Sequence, residues 1–145
     1  MAYVIASLLI NYVVGFIFVD LNIWYPSLII PSVIIFMVLK YKKESKITNM
    51  FLIISALFSG VGFIQDFNPT YFYLLMNISA FFSYLNAVIS KKIFIFFAWG
   101  LNSFSIGYLI TELRNINLGI IFGIIIFVIG FREILSKSIK EQGGQ

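Results

Sequence analysis

The chain has 145 residues, of which 61% are hydrophobic, 19% aromatic and 11% charged, and its formal net charge is +4. An ordinary soluble domain is about 25% charged and leaves about 30% of its chain surface exposed at this size, so this composition excludes a soluble fold and indicates a membrane protein. The chain has no cysteine and no histidine, which excludes disulfides, thiol chemistry and the usual zinc and haem sites. We therefore expect no metal and no cofactor.

Six apolar segments follow one another along the chain, each close to the about 17–25 residues that a helix needs to cross a bilayer. They span residues 2–19, 23–39, 47–65, 70–90, 93–111 and 116–135, and a polar tail covers residues 136–145. Pro31 lies inside the second segment and is expected to kink that helix. Because the loops are short, neighbouring helices must be antiparallel. The predicted fold is all-α, a single polytopic bundle of six transmembrane helices arranged as three short-looped hairpins.

The loop at residues 40–46 contains four lysines and fixes the predicted orientation. With six spans, nine of the ten basic residues lie on the side of this loop: Lys40, Lys42, Lys43, Lys46, Lys91, Lys92, Arg132, Lys137 and Lys140. The positive-inside rule makes that side cytoplasmic, together with both termini and the polar tail. We expect the lysine loops to meet anionic lipid headgroups rather than nucleic acid. The expected location is a bacterial inner membrane, with an organellar membrane as the alternative.

Three acidic residues and one arginine lie on the opposite side, namely Asp20, Asp66, Glu112 and Arg114. They come from three different hairpins. If the bundle brings them together, they form a candidate binding site for a cation or a polar headgroup, or an acid–base site. The alternative interpretation is that they are ordinary helix-end residues at the water boundary.

Polar residues form stripes along three of the predicted helices. The candidate polar intramembrane faces comprise Asn11, Ser79, Ser83, Asn86, Asn102 and Ser105. Polar groups that face lipid lack hydrogen-bond partners, so these faces are expected to point inward. They either line a pathway for a small solute or hold helices together. An ion-coupled pump is disfavoured, because no ionisable residue lies near the middle of a segment.

Small residues at a spacing of four occur in the third and sixth segments. Gly119 and Gly123 form one pair, and Ser55 and Ser59 form the other. Such pairs let helix backbones approach closely. The partner helix is either in the same chain or in another subunit.

Two segments resemble helices of the YhhN-type lysoplasmalogenase family. The third segment contains Phe58-Ser59-Gly60-Val61-Gly62-Phe63, similar to the family's F-S-x-x-G-D helix, with Phe63 at the acidic position. The sixth contains residues 123–131, GIIIFVIGF, similar to a G-x-x-x-F-x-x-S-D helix that also ends in an acid. The resemblance implies a lipid-acting enzyme, but this chain lacks both acidic positions and two of the family's spans.

Three functional classes remain, because the chain has no catalytic or nucleotide-binding motif and lacks histidine, the usual general base. The first expectation is a non-catalytic subunit, or an assembly or binding scaffold, of a membrane complex, with protein partner subunits or a homo-oligomer. The second is a small-solute transporter or channel that works as an oligomer. The third is a lipid-acting intramembrane enzyme that uses the acidic residues; the sequence leaves enzymatic activity open but favours a non-catalytic role.

Overall fold

The computed structural model describes residues 2–18, 26–43, 45–65 and 69–143. The regular structure in these ranges is entirely helical. The helices are α1 (Ala2–Phe18), α2 (Pro26–Tyr41), α3 (Lys46–Ile64), α4 (Thr70–Ile89), α5 (Lys92–Leu113) and α6 (Ile116–Gly143). The protein is therefore all-α, with six helices in the order that the apolar segments predict.

Three of these helices are long and apolar enough to cross a membrane. The spans are Tyr71–Ile89 in α4, Lys92–Leu113 in α5 and Ile116–Ser136 in α6. The apolar parts of the other three helices are shorter over the described residues, at Ile5–Gly15, Ile29–Tyr41 and Lys46–Gly62. The long apolar helices indicate that the protein associates with a membrane.

Local sequence explains where several helices begin and end. Ser45 caps α3, because its hydroxyl accepts a hydrogen bond from the backbone N–H of Thr48 at 3.2 Å, and Asn115 caps α6 in the same way through the N–H of Leu118 at 2.9 Å. Such side-chain caps satisfy donors that the first turn leaves unpaired. At its C-terminus, α4 ends at Ser90, whose left-handed backbone (φ 61°, ψ 35°) reverses the chain.

The apolar span of α6 ends at Ser136, as predicted near residue 135, and the helix continues beyond that span to Gly143. Lysine, glutamate and glutamine in the tail favour helix when solvated. The described part of α2 begins at Pro26, and the predicted start at residue 23 lies outside the described residues. Helix α2 continues without a break through Pro31, which is buried.

The helices pack as a ring with a two-helix extension. In the ring, α1 contacts α2 and α3, and both of these contact α4. Helix α5 packs on α4, and α6 packs on α5. The ring encloses large buried side chains such as Phe51, Phe72 and Met76. Phe51 also makes an edge-to-face contact with Trp99 of α5, with ring centroids 5.1 Å apart, which ties the extension to the ring.

Helix α6 is the least covered of the three long helices. Only 11% of the residues in its span are buried, against 44% in the spans of α4 and α5. Bulky apolar side chains such as Ile121, Ile125 and Val128 are about half exposed. In a membrane protein, such a surface faces lipid or another protein chain.

Candidate functional site

The most connected polar group in the ring of helices is the side chain of Asn11. Its amide nitrogen donates to the carbonyl oxygen of Leu52 in α3 at 3.1 Å. Its side-chain oxygen accepts from the hydroxyl of Tyr73 in α4 at 2.8 Å, and the same hydroxyl lies 2.9 Å from the backbone carbonyl of Asn11. Asn11 and Tyr73 are fully buried. This cluster joins three helices, and its burial separates Asn11 from any solute.

Ser79 and Ser83, on the predicted polar face of α4, also link helices. The Ser83 hydroxyl is 2.7 Å from the hydroxyl of Thr48 in α3, and Ser79 donates to the carbonyl of Ala98 in α5. Both serines are buried. Buried hydrogen bonds of this kind hold helices together in lipid, where the alternative is an unpaired polar group.

The two predicted polar residues of α5 are buried but differ in pairing. Ser105 donates to the carbonyl of Leu101 in its own helix at 2.6 Å. The Asn102 side-chain oxygen has no hydrogen-bond partner among the described residues. Neither residue opens to a surface, so α5 provides no continuous polar track.

Asn86 is the remaining predicted polar residue, and it borders a cavity. The cavity has a volume of about 310 Å³ and lies between the C-terminal end of α4, the N-terminal half of α5 and the C-terminal half of α6. Its lining consists of Asn86, Ala87, Ser90, Lys92, Ile95, Trp99, Glu133 and Ile134. We call it the basic-end cavity, because it lies at the end of the molecule that carries Lys91 and Lys92.

The basic-end cavity has a polar outer part and an apolar inner part. Lys92, Ser90 and Asn86 come from the ends of their helices, whereas Trp99 lies seven residues further along α5, about 10 Å deeper at 1.5 Å per residue. The indole of Trp99 packs closely against Gly130 of α6, where an added Cβ would lie only 2.5 Å from the indole Cγ. A side chain at residue 130 would therefore displace the inner wall of the cavity.

The predicted acidic site is only partly described. Asp20 and Asp66 lie outside the described residues. Glu112 and Arg114 are both exposed at the C-terminal end of α5. Within the described part of the chain there is no group of three or more acidic residues that could hold a metal ion.

The small residues of α6 pack within the chain. An ideal Cβ on Gly119 would overlap Thr111 Oγ1 and lie 2.6 Å from the carbonyl oxygen of Gly107, both in α5. Gly123 faces the carbonyl of Ser103, with 3.4 Å from an ideal Cβ. Ser55 and Ser59 of α3 are fully buried, and their hydroxyls have no hydrogen-bond partner within the described ranges.

An apolar groove of about 470 Å³ runs along the outside of the α5–α6 pair. The small residues Gly107, Gly119 and Gly123 form part of its lining, and Phe104 and Phe127 form bulky parts of it. The groove adds to the uncovered apolar surface of α6, and its composition suits an acyl chain or an apolar helix.

The sequence analysis did not identify Tyr73 in the Asn11 cluster or Glu133 in the basic-end cavity. Tyr73, which completes the Asn11 cluster, lies 62 positions away in the chain, and nothing in a single sequence pairs the two. Glu133 was not among the candidate residues, although it is an acid beside the basic end of a span. An acidic residue next to the basic end of a span is the feature of the sequence from which Glu133 could have been predicted.

Comparisons of the chain with protein-family models, curated proteins and solved structures found no match. The resemblance to YhhN-type lysoplasmalogenases is therefore supported only by the two motifs in the third and sixth segments.

Proposed function

We propose that the chain is a six-span membrane protein with both termini in the cytoplasm, and that it acts as a non-catalytic binding subunit of a membrane complex. The observation that carries this proposal is the uncovered apolar surface of α6 and its groove on α5. Among the described residues, α6 packs extensively on α5 alone, whereas α1 to α4 each pack on at least two other helices. This surface is the part of the described molecule best suited to another protein chain.

The transporter alternative has less support. A pathway across the membrane needs polar residues that open to water along its length. Asn86 borders the basic-end cavity, but Asn11, Ser79 and Ser83 are hydrogen-bonded inside the core. These paired side chains do not extend the polar lining of the cavity across the membrane, which favours binding over passage.

Site-specific photo-crosslinking in the native membrane tests the proposed subunit role. A photoreactive residue at Ile125 of α6, which is 47% exposed, is expected to give a discrete protein adduct. The matched control is Leu57 of α3, which is 63% exposed and also apolar, and which is expected to react mainly with lipid. Identical adduct patterns at the two positions, or lipid adducts alone at both, would contradict the proposal.

A further inference from the structure

A cleft of about 630 Å³ lies between α1 and α3, at the end of the molecule where both helices begin. We call it the α1–α3 cleft. Tyr3 and Ser7 form its α1 wall. Its α3 wall is one face of that helix, at positions i, i+3, i+4, i+7 and i+8, namely Lys46, Asn49, Met50, Ile53 and Ile54. The volume falls within the range of about 300–1,000 Å³ that is typical of sites for small organic molecules.

The α3 wall changes from polar to apolar along the helix. Lys46 is the first residue of α3, and Asn49 lies one turn further. Met50, Ile53 and Ile54 follow, and the last of them is about 12 Å from Lys46 along the helix axis at about 1.5 Å per residue. Met50 and Ile53 are 39% and 42% exposed. A ligand that matches this wall is polar at its outer end and apolar at its inner end, as a phospholipid is in a bilayer.

Lys46 gives the outer end of the α1–α3 cleft a positive charge. Its side chain is exposed and has no hydrogen bond or ion pair within the described part of the chain. Lys40, Lys42 and Lys43 precede it in the same loop, where Glu44, outside the described residues, is the one acid. No carboxylate lines the cleft among the described residues. The charge of the cleft is therefore complementary to an anionic headgroup.

Asn49 narrows the choice of headgroup. Its side-chain oxygen is buried and has no hydrogen-bond partner within the described ranges. This oxygen only accepts hydrogen bonds, so a phosphodiester, which also only accepts, does not pair with it. An ammonium group donates, but it would lie one turn from the like charge of Lys46. A hydroxyl donates without that cost. A headgroup with a negative phosphate and a free hydroxyl therefore satisfies both residues.

We propose that the α1–α3 cleft binds one anionic phospholipid with a hydroxyl-bearing headgroup, such as phosphatidylglycerol. The phosphate lies at Lys46, a headgroup hydroxyl donates to the side-chain oxygen of Asn49, and an acyl chain lies along Met50 and Ile53. The site is built from α1 and α3, whereas the proposed protein partner binds α6, so each proposal can fail without the other.

Native mass spectrometry of the full chain tests the proposal. The protein is released from micelles that contain equal amounts of phosphatidylglycerol, phosphatidylmethanol and phosphatidylcholine with the same acyl chains. Phosphatidylmethanol has the negative charge without the hydroxyls, and phosphatidylcholine has no net charge. We expect one molecule of phosphatidylglycerol to be retained most strongly, followed by phosphatidylmethanol and then by phosphatidylcholine.

Variants of the lysines test the phosphate contact. Lys46→Gln should lower the relative affinity for phosphatidylglycerol about tenfold, the order expected for one charge-assisted hydrogen bond, and Lys46→Arg should retain most of it. Lys42→Gln is the matched control, because Lys42 belongs to the same loop but does not line the cleft. Both lysines are exposed, so neither substitution should disturb folding.

Two further variants test the hydroxyl and the acyl chain. Asn49→Leu removes the acceptor at similar size, so it should abolish the preference for phosphatidylglycerol over phosphatidylmethanol while both remain favoured over phosphatidylcholine. Ile53→Trp fills the inner part of the cleft and should lower the retention of both anionic lipids severalfold. Leu57→Trp is its control, because Leu57 lies one turn further along α3 and does not line the cleft.

Four results would overturn the proposal. Equal retention of phosphatidylglycerol and phosphatidylcholine would show that the cleft does not select charge. Equal losses in Lys42→Gln and Lys46→Gln would assign the effect to the general charge of the loop. An unchanged preference for phosphatidylglycerol in Asn49→Leu would remove the hydroxyl contact, and unchanged retention in Ile53→Trp would remove the acyl chain. Thermal unfolding and size-exclusion elution like those of the unmodified chain confirm that each variant is folded.

Discussion

At the scale of single residues, the interior of this protein contains polar groups of two kinds. Tyr73 and Asn11 are paired across helices at 2.8 Å, whereas the Ser55 hydroxyl is buried without a hydrogen-bond partner among the described residues. The paired groups add stability, because breaking one leaves its partner unpaired in a medium without water. The unpaired hydroxyl lowers stability for the same reason.

This difference predicts opposite signs for two conservative substitutions. Tyr73→Phe removes the donor to Asn11 and should lower the free energy of unfolding by about 1 kcal/mol, the usual order for a buried hydrogen bond between membrane helices. Ser55→Ala removes only the unpaired hydroxyl and should leave stability unchanged or raise it. Reversible unfolding in mixed micelles measures both. A loss of stability in Ser55→Ala as large as that in Tyr73→Phe would show that Ser55 has a partner.

At the scale of helices, much of the architecture is visible in the sequence. The six apolar segments predict six helices, and five of them start within one residue of the observed positions, at residues 2, 47, 70, 93 and 116 against 2, 46, 70, 92 and 116. The start of a helix can be predicted from the length of an apolar run, because that length depends only on neighbouring residues in the sequence. The apolar span of α6 ends at Ser136, close to the predicted residue 135, but run length does not predict the helical extension to Gly143, because that part of the helix is polar.

The pairing of helices is less predictable. Gly119 and Gly123 indicate close packing from the sequence, but not the partner. The structure places Gly107 and Thr111 of α5 opposite Gly119, which requires a specific rotation of α5 and α6 about their axes. The basic-end cavity depends on the same rotation, because it alone brings Glu133 of α6 to the cavity that Lys92 of α5 lines.

The close contact between α5 and α6 predicts a large difference between two glycine substitutions. Gly119→Ala places a Cβ against Thr111 Oγ1 and 2.6 Å from the carbonyl of Gly107, so it should push the helices apart and cost about 1–3 kcal/mol in unfolding free energy. Gly100→Ala is the matched control, since its Cβ would have nothing within 4 Å, and helix propensity alone should make it neutral or stabilising.

A double variant distinguishes side-chain from backbone overlap at this contact. Thr111→Ala removes the hydroxyl that meets the new Cβ, but the backbone carbonyl of Gly107 remains in place. The pair Thr111→Ala and Gly119→Ala should therefore recover only part of the lost stability. Full recovery would mean that the helix backbones are not in close contact.

At the scale of the whole molecule, the proposed six-span topology makes a simple prediction about sidedness. The chain contains no cysteine, so single cysteines report their positions without further substitution. Cysteines at Lys43 and Lys91 should react with a membrane-impermeant maleimide only from the cytoplasmic side, and a cysteine at Asn115 only from the opposite side. Lys43 and Lys91 must behave alike, because two spans separate them. If they label from opposite sides, α3 and α4 do not both cross the membrane, and the six-span proposal is wrong.

Within the described part of the chain, α6 packs extensively only on α5, and this has a consequence for biosynthesis. Buried hydrogen bonds join helices α1, α3, α4 and α5, and the ribosome produces all four before α6. We therefore expect helix α6 to join a surface of α5 after these bonds have formed. A chain that stops after Asn115 should consequently retain the contact between Asn11 and Tyr73, while it lacks the wall that Glu133 and Ile134 contribute.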